Sequence, residues 1–237
     1  MRRVVALSGG KDSTAMALRL QEVEPGDYTY ICTPTGNELP EMFAHWRLLG
    51  ERLGSRVVPV GRRTLASEIA EQKALPNWRQ RWCTRRIKIE PFADYLATVA
   101  PAVAFVGLRA DEEERQGGVY DSVPGVIVRF PMREWGWKLA DVVAYNAAQG
   151  ITIPKRTDCA VCFFQRLGEW YDLWRDYPEQ WAEGEAWEAQ VGKTFRSPGR
   201  DSWPAGMKEL RHEFEGGRIP RDRQTLLREA TCRVCSL

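Results

Sequence analysis

This sequence has no long apolar run, little net charge and no internal repeat, and each of these features excludes some classes of protein. No window approaches the roughly 18 apolar residues that a membrane-spanning helix needs. The chain opens on a strand-like segment and has no apolar core of the kind that secretion signals carry. We therefore expect a cytoplasmic protein without a membrane partner. The formal net charge is only +2, so charge alone neither requires nor excludes nucleic acid.

Histidine is also rare, whereas cysteine is present in useful numbers. The two histidines, His45 and His212, have no sequence neighbours that indicate a role for them. The six cysteines do not favour a disulfide framework, because the expected compartment keeps thiols reduced. Metal binding or redox chemistry is the better explanation for at least some of them.

Short apolar strands alternate with helical stretches along the first two thirds of the chain. The strand-like segments are residues 2–7, 27–32, 56–60, 102–108 and 125–131. This alternation predicts an α/β fold with a doubly wound parallel sheet that is covered on both faces. From about residue 155 the sequence becomes helical and rich in tryptophan. We therefore divide the chain into an α/β domain, residues 1–154, and a smaller helical subdomain, residues 155–237, which is pinned by cysteines.

The stretch "LSGGKDST", residues 7–14, lies between the first strand and the first helix. Adjacent glycines let a backbone approach phosphate closely, and the following helix N-terminus attracts anions. The spacing of the common phosphate loop, G-x-x-x-x-G-K-[ST], is absent. Asp12 suits such a site if it caps the helix or positions Mg²⁺, which bridges carboxylates and phosphates. The candidate nucleotide ligands are Ser8, Gly9, Gly10, Lys11, Asp12 and Ser13.

Polar residues follow two further strands, at the sheet edge where ligands of parallel sheets collect. Asn37 and Glu38 come after the second strand, and Glu38 could either hold Mg²⁺ or cap the next helix. Arg109 and Arg115 come after the fourth strand, in "GLRADEEER". The guanidinium fork matches the oxygens of phosphate or sulfate, so both arginines are candidates for binding an anionic group.

Two C-x-x-C motifs provide paired thiols. Cys159 and Cys162 form the first motif, and Cys232 and Cys235 form the second. Each motif places two thiolates toward one metal ion, so four cysteines alone would suit tetrahedral zinc. Cys83, in the basic segment "RQRWCTRRIK", is a fifth candidate. With five thiols for four positions, one is left to carry sulfur or to act as a nucleophile.

Several of these segments together resemble a known family. "SGGKDS" is similar to the PP-loop of the ATP pyrophosphatase, or adenine nucleotide alpha hydrolase-like, superfamily. "RWCTRRIKIEPF", "GLRADEEER" and "PMREWGWKLADVVAYNAAQGITIP" resemble blocks of the phosphoadenosine phosphosulfate (PAPS) reductase family, in the right order. The resemblance implies that residues 1–154 bind a nucleotide. The glycine pair of the loop is closer to the ATP-cleaving members than to the sulfonucleotide reductases.

This resemblance implies an enzyme that adenylates a substrate with ATP for iron–sulfur-dependent sulfur transfer. Lys11, Asp12 and Arg109 would be catalytic, with ATP and Mg²⁺ as cofactors and Cys232 as the remaining reactive thiol. A [4Fe–4S] cluster, with Zn²⁺ as the alternative, would be held by Cys83, Cys159, Cys162 and Cys235. The expected partners are a nucleotide substrate and a tRNA or DNA acceptor, with an unidentified sulfur donor. A homodimer is among the assemblies we expect.

Two other functions compete with this interpretation. In a sulfonucleotide reductase, which acts on PAPS or its analogue without the 3′-phosphate (APS), a C-terminal cysteine would attack the sulfate sulfur without ATP turnover. In a zinc-clasped nucleic-acid-binding module, the basic segments would bind phosphates, and binding would fall as salt is raised.

Overall fold

A computed structural model describes residues 1–115 and 119–222 of the chain. The strands are β1 (Arg2–Ala6), β2 (Tyr28–Cys32), β3 (Val57–Pro59), β4 (Ala102–Phe105) and β5 (Val126–Arg129). The helices of the first half are α1 (Lys11–Val23), α2 (Pro40–Arg52), α3 (Leu65–Gln72) and α4 (Glu90–Val99), the last preceded by a π-helical segment (Thr84–Ile89). Those of the second half are α5 (Pro131–Glu134), α6 (Leu139–Ala148), α7 (Leu167–Asp176), α8 (Pro178–Val191) and α9 (Met207–Glu215), with a 3₁₀ turn (Val119–Ser122) before β5.

The five strands form one parallel sheet in the order β3-β2-β1-β4-β5. The chain therefore runs outward from β1 in one direction through β2 and β3, and then returns to the other side of β1 for β4 and β5. The predicted α/β fold with a doubly wound parallel sheet is confirmed. The reversal creates a crevice between the carboxyl ends of β1 and β4, which is where ligands of such sheets bind.

Alternation along each strand covers both faces of the sheet. Val5 of β1 and Phe105 of β4 pack with residues of α1, α2 and α6 on one face. Val4, one position earlier, and Ala104 pack with α4 on the other face. Successive side chains of a strand point to opposite faces, so a continuous apolar run is what a sheet covered on both sides requires.

The predicted C-terminal helical region is present as α7, α8 and α9. Its core is aromatic, and Trp170 is completely buried. The same apolar cluster includes Leu65 and Ile69 of α3, so packing continues across the predicted domain boundary at residue 154. The boundary itself and the cysteine pinning stay predictions, since Cys232 and Cys235 lie outside the described residues. No helix in residues 1–115 and 119–222 is both long and apolar enough to cross a membrane.

Candidate active site

The glycine loop turns tightly between β1 and α1. Gly9 adopts a φ of +85°, a left-handed conformation that glycine adopts without strain. The backbone N–H of Gly9 donates to Ser13 Oγ at 3.2 Å, and that of Gly10 donates to Ser8 Oγ at 3.3 Å. Two neighbouring backbone donors thus face hydroxyl groups at the N-terminus of α1. This is the geometry of an anion-binding nest, in which an anion can replace the hydroxyl oxygens as acceptor.

Asp12 is enclosed by two cations. Its Oδ2 accepts from Lys11 Nζ at 3.2 Å, and its Oδ1 accepts from Arg109 Nη1 at 3.0 Å. Lys11 and Asp12 are each only 5% exposed, so the loop carboxylate is neutralised by positive side chains in a poorly solvated place. Although burial opposes it, this carboxylate and those of Asp111 and Glu112 raise the pKa of Arg109, which stays charged.

The loop after β4 is itself fixed by arginine contacts. Arg109 Nε donates to Asp111 at 2.8 Å, and Arg115 Nη1 donates to Glu112 at 2.8 Å. Arg133 of α5 donates to the backbone carbonyls of Glu112, at 2.7 Å, and of Arg115. The acidic run between the two arginines therefore orients their side chains, and it is not simply a solvated turn.

A cavity of 180 Å³ lies at the carboxyl ends of β1, β2 and β4. Its polar side is made by the glycine loop, and Lys88 of the π-helical segment and Arg115 also line it. The remaining wall is mostly apolar and includes Ile31, Phe92, Leu108 and Tyr120. Apolar walls with a few convergent cations suit a ligand that has a flat base at one end and an anionic group at the other.

Asn37 and Glu38 lie at the same edge, but their side chains contact protein groups. Glu38 accepts from the backbone N–H of Thr35 at 2.6 Å and of Gly36 at 2.9 Å. It does not cap α2, whose N-cap residue is Leu39 without a side-chain bond. Asn37 donates to Glu183 at 2.7 Å and accepts from the Val161 N–H at 2.9 Å. In the structure these residues therefore shape the loop and hold the C-terminal region against it, and their binding roles stay predictions.

Three of the predicted thiols are largely withdrawn from solvent: Cys159 and Cys162 are buried, and Cys83 is partly buried. The positive charge of Lys88 acts to lower the pKa of Cys83 and of Cys159, and the Cys83 thiol acts to raise that of Cys159. Cys159 Sγ also contacts Thr35 Oγ1 at 3.3 Å. Burial raises the pKa of the Cys83 thiol, raises that of Cys159 to about 11 and raises that of Cys162 well above its ordinary value. All three are thus protonated, poorly nucleophilic thiols at neutral pH.

These thiols do not by themselves form a metal site. Within residues 1–115 and 119–222, no group of three or more histidine, cysteine, aspartate or glutamate side chains is gathered so that it could hold a metal ion. Cys232 and Cys235, from which the fourth ligand was expected, lie outside the described residues. The iron–sulfur cluster and the alternative zinc ion therefore remain predictions.

Several residues of the site could not be identified from the sequence. Arg133 and Asn146 act through backbone carbonyls, and Asn146 Nδ2 donates to the carbonyl of Lys11 at 3.0 Å. Trp46 donates to the carbonyl of Ser8 at 3.1 Å. Tyr120 completes the apolar wall. Nothing local in the sequence marks these positions, because each acts on a segment that is distant along the chain.

Comparisons with known proteins agree with the fold. The family model for the phosphoadenosine phosphosulfate reductase domain matches residues 2–171, well over half of the chain. Among solved structures, the chain is similar to the phosphate complex of phosphoadenylyl-sulfate (PAPS) reductase from Candida auris. That match has a TM-score of 0.50 and 16% identity, and covers 65% of this chain and 76% of that one. At this identity the likeness concerns the fold alone. No curated protein matches the chain.

Proposed function

The chain belongs to the phosphoadenosine phosphosulfate reductase family, and from that premise we propose that it is an enzyme that reduces a sulfonucleotide to sulfite. The base and ribose would occupy the apolar wall of the cavity, and the phosphosulfate group would lie against residues 8–13, near Lys88 and Arg115. This assignment differs from the ATP-cleaving function that the loop sequence favours. Family membership and the pairing of the Asp12 carboxylate with two cations support it.

The observation that carries the proposal is the pairing of Asp12 with Lys11 and Arg109. A site for Mg²⁺-ATP needs a carboxylate that can turn toward the metal ion. Asp12 is instead held by two cations, and Glu38 is held by backbone N–H groups. The loop therefore presents amide and hydroxyl donors to its ligand, which is sufficient for a phosphosulfate.

The proposed chemistry uses the C-terminal cysteine pair, Cys232 and Cys235. The Cys232 thiolate attacks the sulfate sulfur, the bond from sulfur to the bridging oxygen breaks, and the nucleotide leaves with the bonding electrons. The Cys235 thiolate then attacks the Cys232 sulfur, sulfite leaves with its electron pair, and a Cys232–Cys235 disulfide remains. Sulfate is reduced as the two thiols are oxidised, and an external dithiol reductant restores them.

The described residues would assist by stabilising the leaving nucleotide. The negative charge that develops on the leaving phosphate would be met by the N–H groups of Gly9 and Gly10, which are already oriented before the ligand arrives. Arg109, held by three carboxylates, keeps the loop after β4 in place beside them. Burial raises the pKa of the Cys83, Cys159 and Cys162 thiols, which favours the C-terminal pair as the attacking thiols.

A second candidate, adenylation by ATP for sulfur transfer, is favoured by one observation. The adjacent glycines offer two neighbouring amides at the start of α1, a helix of 13 residues, and such a nest also suits pyrophosphate. In that reaction an acceptor oxygen attacks the α-phosphate and pyrophosphate leaves. A tRNA or DNA acceptor, Mg²⁺ and a metal-bound cysteine set belong to this candidate.

One assay separates the two candidates. The full chain, purified without oxygen, is given PAPS or APS with a dithiol, and in parallel ATP with Mg²⁺ and a tRNA or DNA acceptor. Reduction predicts sulfite and no pyrophosphate, and a Cys232→Ser variant should release no sulfite. Pyrophosphate from ATP without any sulfite would favour the second candidate, and metal analysis of the same sample would test the cluster.

A further inference from the structure

One face of α2 lies against the glycine loop. Met42, His45, Trp46 and Leu49 recur at the spacing that places residues on one side of a helix, and Met42, His45 and Leu49 are buried. A side chain on Gly9 would place its Cβ 2.7 Å from Trp46 Nε1 and 2.9 Å from Met42 Cε. The loop therefore rests directly on these side chains, and only glycine fits between them.

Trp46 fixes the direction of the first peptide group of the loop. Its Nε1 donates to the carbonyl of Ser8 at 3.1 Å. In a trans peptide group the C=O and the following N–H point in opposite directions. Because the Ser8 carbonyl points toward α2, the N–H of Gly9 must point away from α2. It does so, and meets Ser13 Oγ at 3.2 Å on the ligand side of the loop.

His45, one residue before Trp46, is a buried part of the same surface of α2. It is only 4% exposed, and burial lowers the pKa of its imidazole. The N–H of Gly10, next to that of Gly9, meets Ser8 Oγ at 3.3 Å.

We infer that Trp46 is a positioning residue for the anion site, holding the Ser8 carbonyl toward α2 so that the Gly9 N–H group faces the ligand. Without this donor, the peptide group can rotate and present its carbonyl oxygen, which repels an anion. The inference rests on the proposed function in so far as a nucleotide anion binds at this loop. It does not depend on which reaction follows.

A substitution that removes the indole donor but leaves an aromatic ring tests the inference. Titration calorimetry with APS would compare Trp46→Phe with Trp203→Phe, a matched change in the C-terminal helical region. Loss of one oriented hydrogen bond predicts about 2- to 10-fold weaker binding for Trp46→Phe and no change for Trp203→Phe. Urea unfolding of both variants would separate a loss of affinity from a loss of stability.

The possible results separate this inference from the proposed function. Wild-type binding by Trp46→Phe, or an equal loss in Trp203→Phe, would overturn the positioning role while nucleotide binding stands. A wild-type chain that binds APS but releases no sulfite would contradict the proposed reaction and leave the positioning role measurable. A wild-type chain that binds neither APS nor ATP would refute both.

Discussion

At the scale of single residues, the site depends on Gly9 and Asp12, whose positions are fixed by their neighbours. Gly9 combines a left-handed φ with a position in contact with Trp46 and Met42. Asp12 combines burial with two cationic partners. Replacing Gly9 with alanine, or Asp12 with asparagine, would also disturb the side chains around it. Gly9 and Asp12 are therefore the residues at which substitution is most informative.

Replacing Gly9 with alanine should damage both stability and ligand binding. The left-handed conformation costs a non-glycine residue about 1–2 kcal/mol, and the new Cβ would also collide with Trp46 and Met42. Gly54→Ala is the matched control, because Gly54 has a φ of +62° with no atom within 4 Å of its Cβ position. Urea unfolding should show the backbone cost in both variants, and calorimetry should show lost APS binding only in Gly9→Ala. Equal binding by the two variants would contradict the loop assignment.

Arg109→Ala should weaken nucleotide binding by roughly tenfold or more, which corresponds to about 1.4 kcal/mol or more. The loss leaves Asp12 with Lys11 alone and frees its remaining negative charge to repel the ligand. Arg129→Ala is the control, since Arg129 also bridges two carboxylates, Glu24 and Glu134, but at the edge of the sheet on β5. If calorimetry gave both arginine variants the wild-type affinity, Arg109 would have only a structural role.

At the scale of elements, helices fix the loops that carry the site. α2 supports the glycine loop, α5 holds the loop after β4 through Arg133, and α6 reaches α1 through Asn146. The C-terminal helices hold the loop after β2, because Asn37 bonds to Glu183 of α8. Each loop at the carboxyl edge thus has a helical support that is distant in sequence.

Within the C-terminal helices, Glu188 should make stability depend on pH. Burial raises the pKa of Glu188 to about 7, against the bonds it accepts from the N–H groups of Phe195 and Met207. The folded chain then binds more protons than the unfolded chain between the ordinary glutamate pKa and about 7, so this group favours folding less as pH rises through that window.

Comparison with Glu188→Gln isolates this effect from other titrating groups. The free energy of unfolding of the wild type, measured by urea at several pH values, should fall relative to that of the variant as the pH is raised from about 5 to about 7. The difference between the two proteins should then level off. A difference that is constant across this range would show that Glu188 keeps an ordinary pKa.

The secondary-structure elements could be predicted from the sequence more readily than the contacts between them. The five strands and the loop before α1 follow from local signals, namely apolar runs and a glycine pair, and the structure confirms them. The burial of Cys32 at the end of β2 was also predictable from its apolar strand. By contrast, Asp12 meets Arg109 at a separation of 97 residues, and Asn37 meets Glu183 at a separation of 146. No local pattern encodes such pairs, so the expectation that Asp12 caps the helix or positions Mg²⁺ came from the motif alone.

At the scale of the whole molecule, one edge of the sheet gathers the candidate chemistry. The reversal of strand order places the glycine loop, the loop after β4 and the π-helical segment around one cavity. Cys159 and Cys162 are buried, and Cys83 is partly buried, in the apolar cluster of the C-terminal region. The C-terminal helices contact the loop after β2. The fold is compatible with either of the two proposed reactions. Identifying the ligand and the leaving group therefore distinguishes the reactions better than the fold does.

The central claim is that this chain reduces a sulfonucleotide through a C-terminal cysteine. Its most direct test is mass spectrometry of the full chain after a brief anaerobic reaction with APS or PAPS, without added reductant. We expect either a thiosulfonate on Cys232 or, once Cys235 has attacked it, a Cys232–Cys235 disulfide with one sulfite released, and neither product should form with Cys232→Ser. A chain that binds the nucleotide but leaves both cysteines unmodified and releases no sulfite would contradict it.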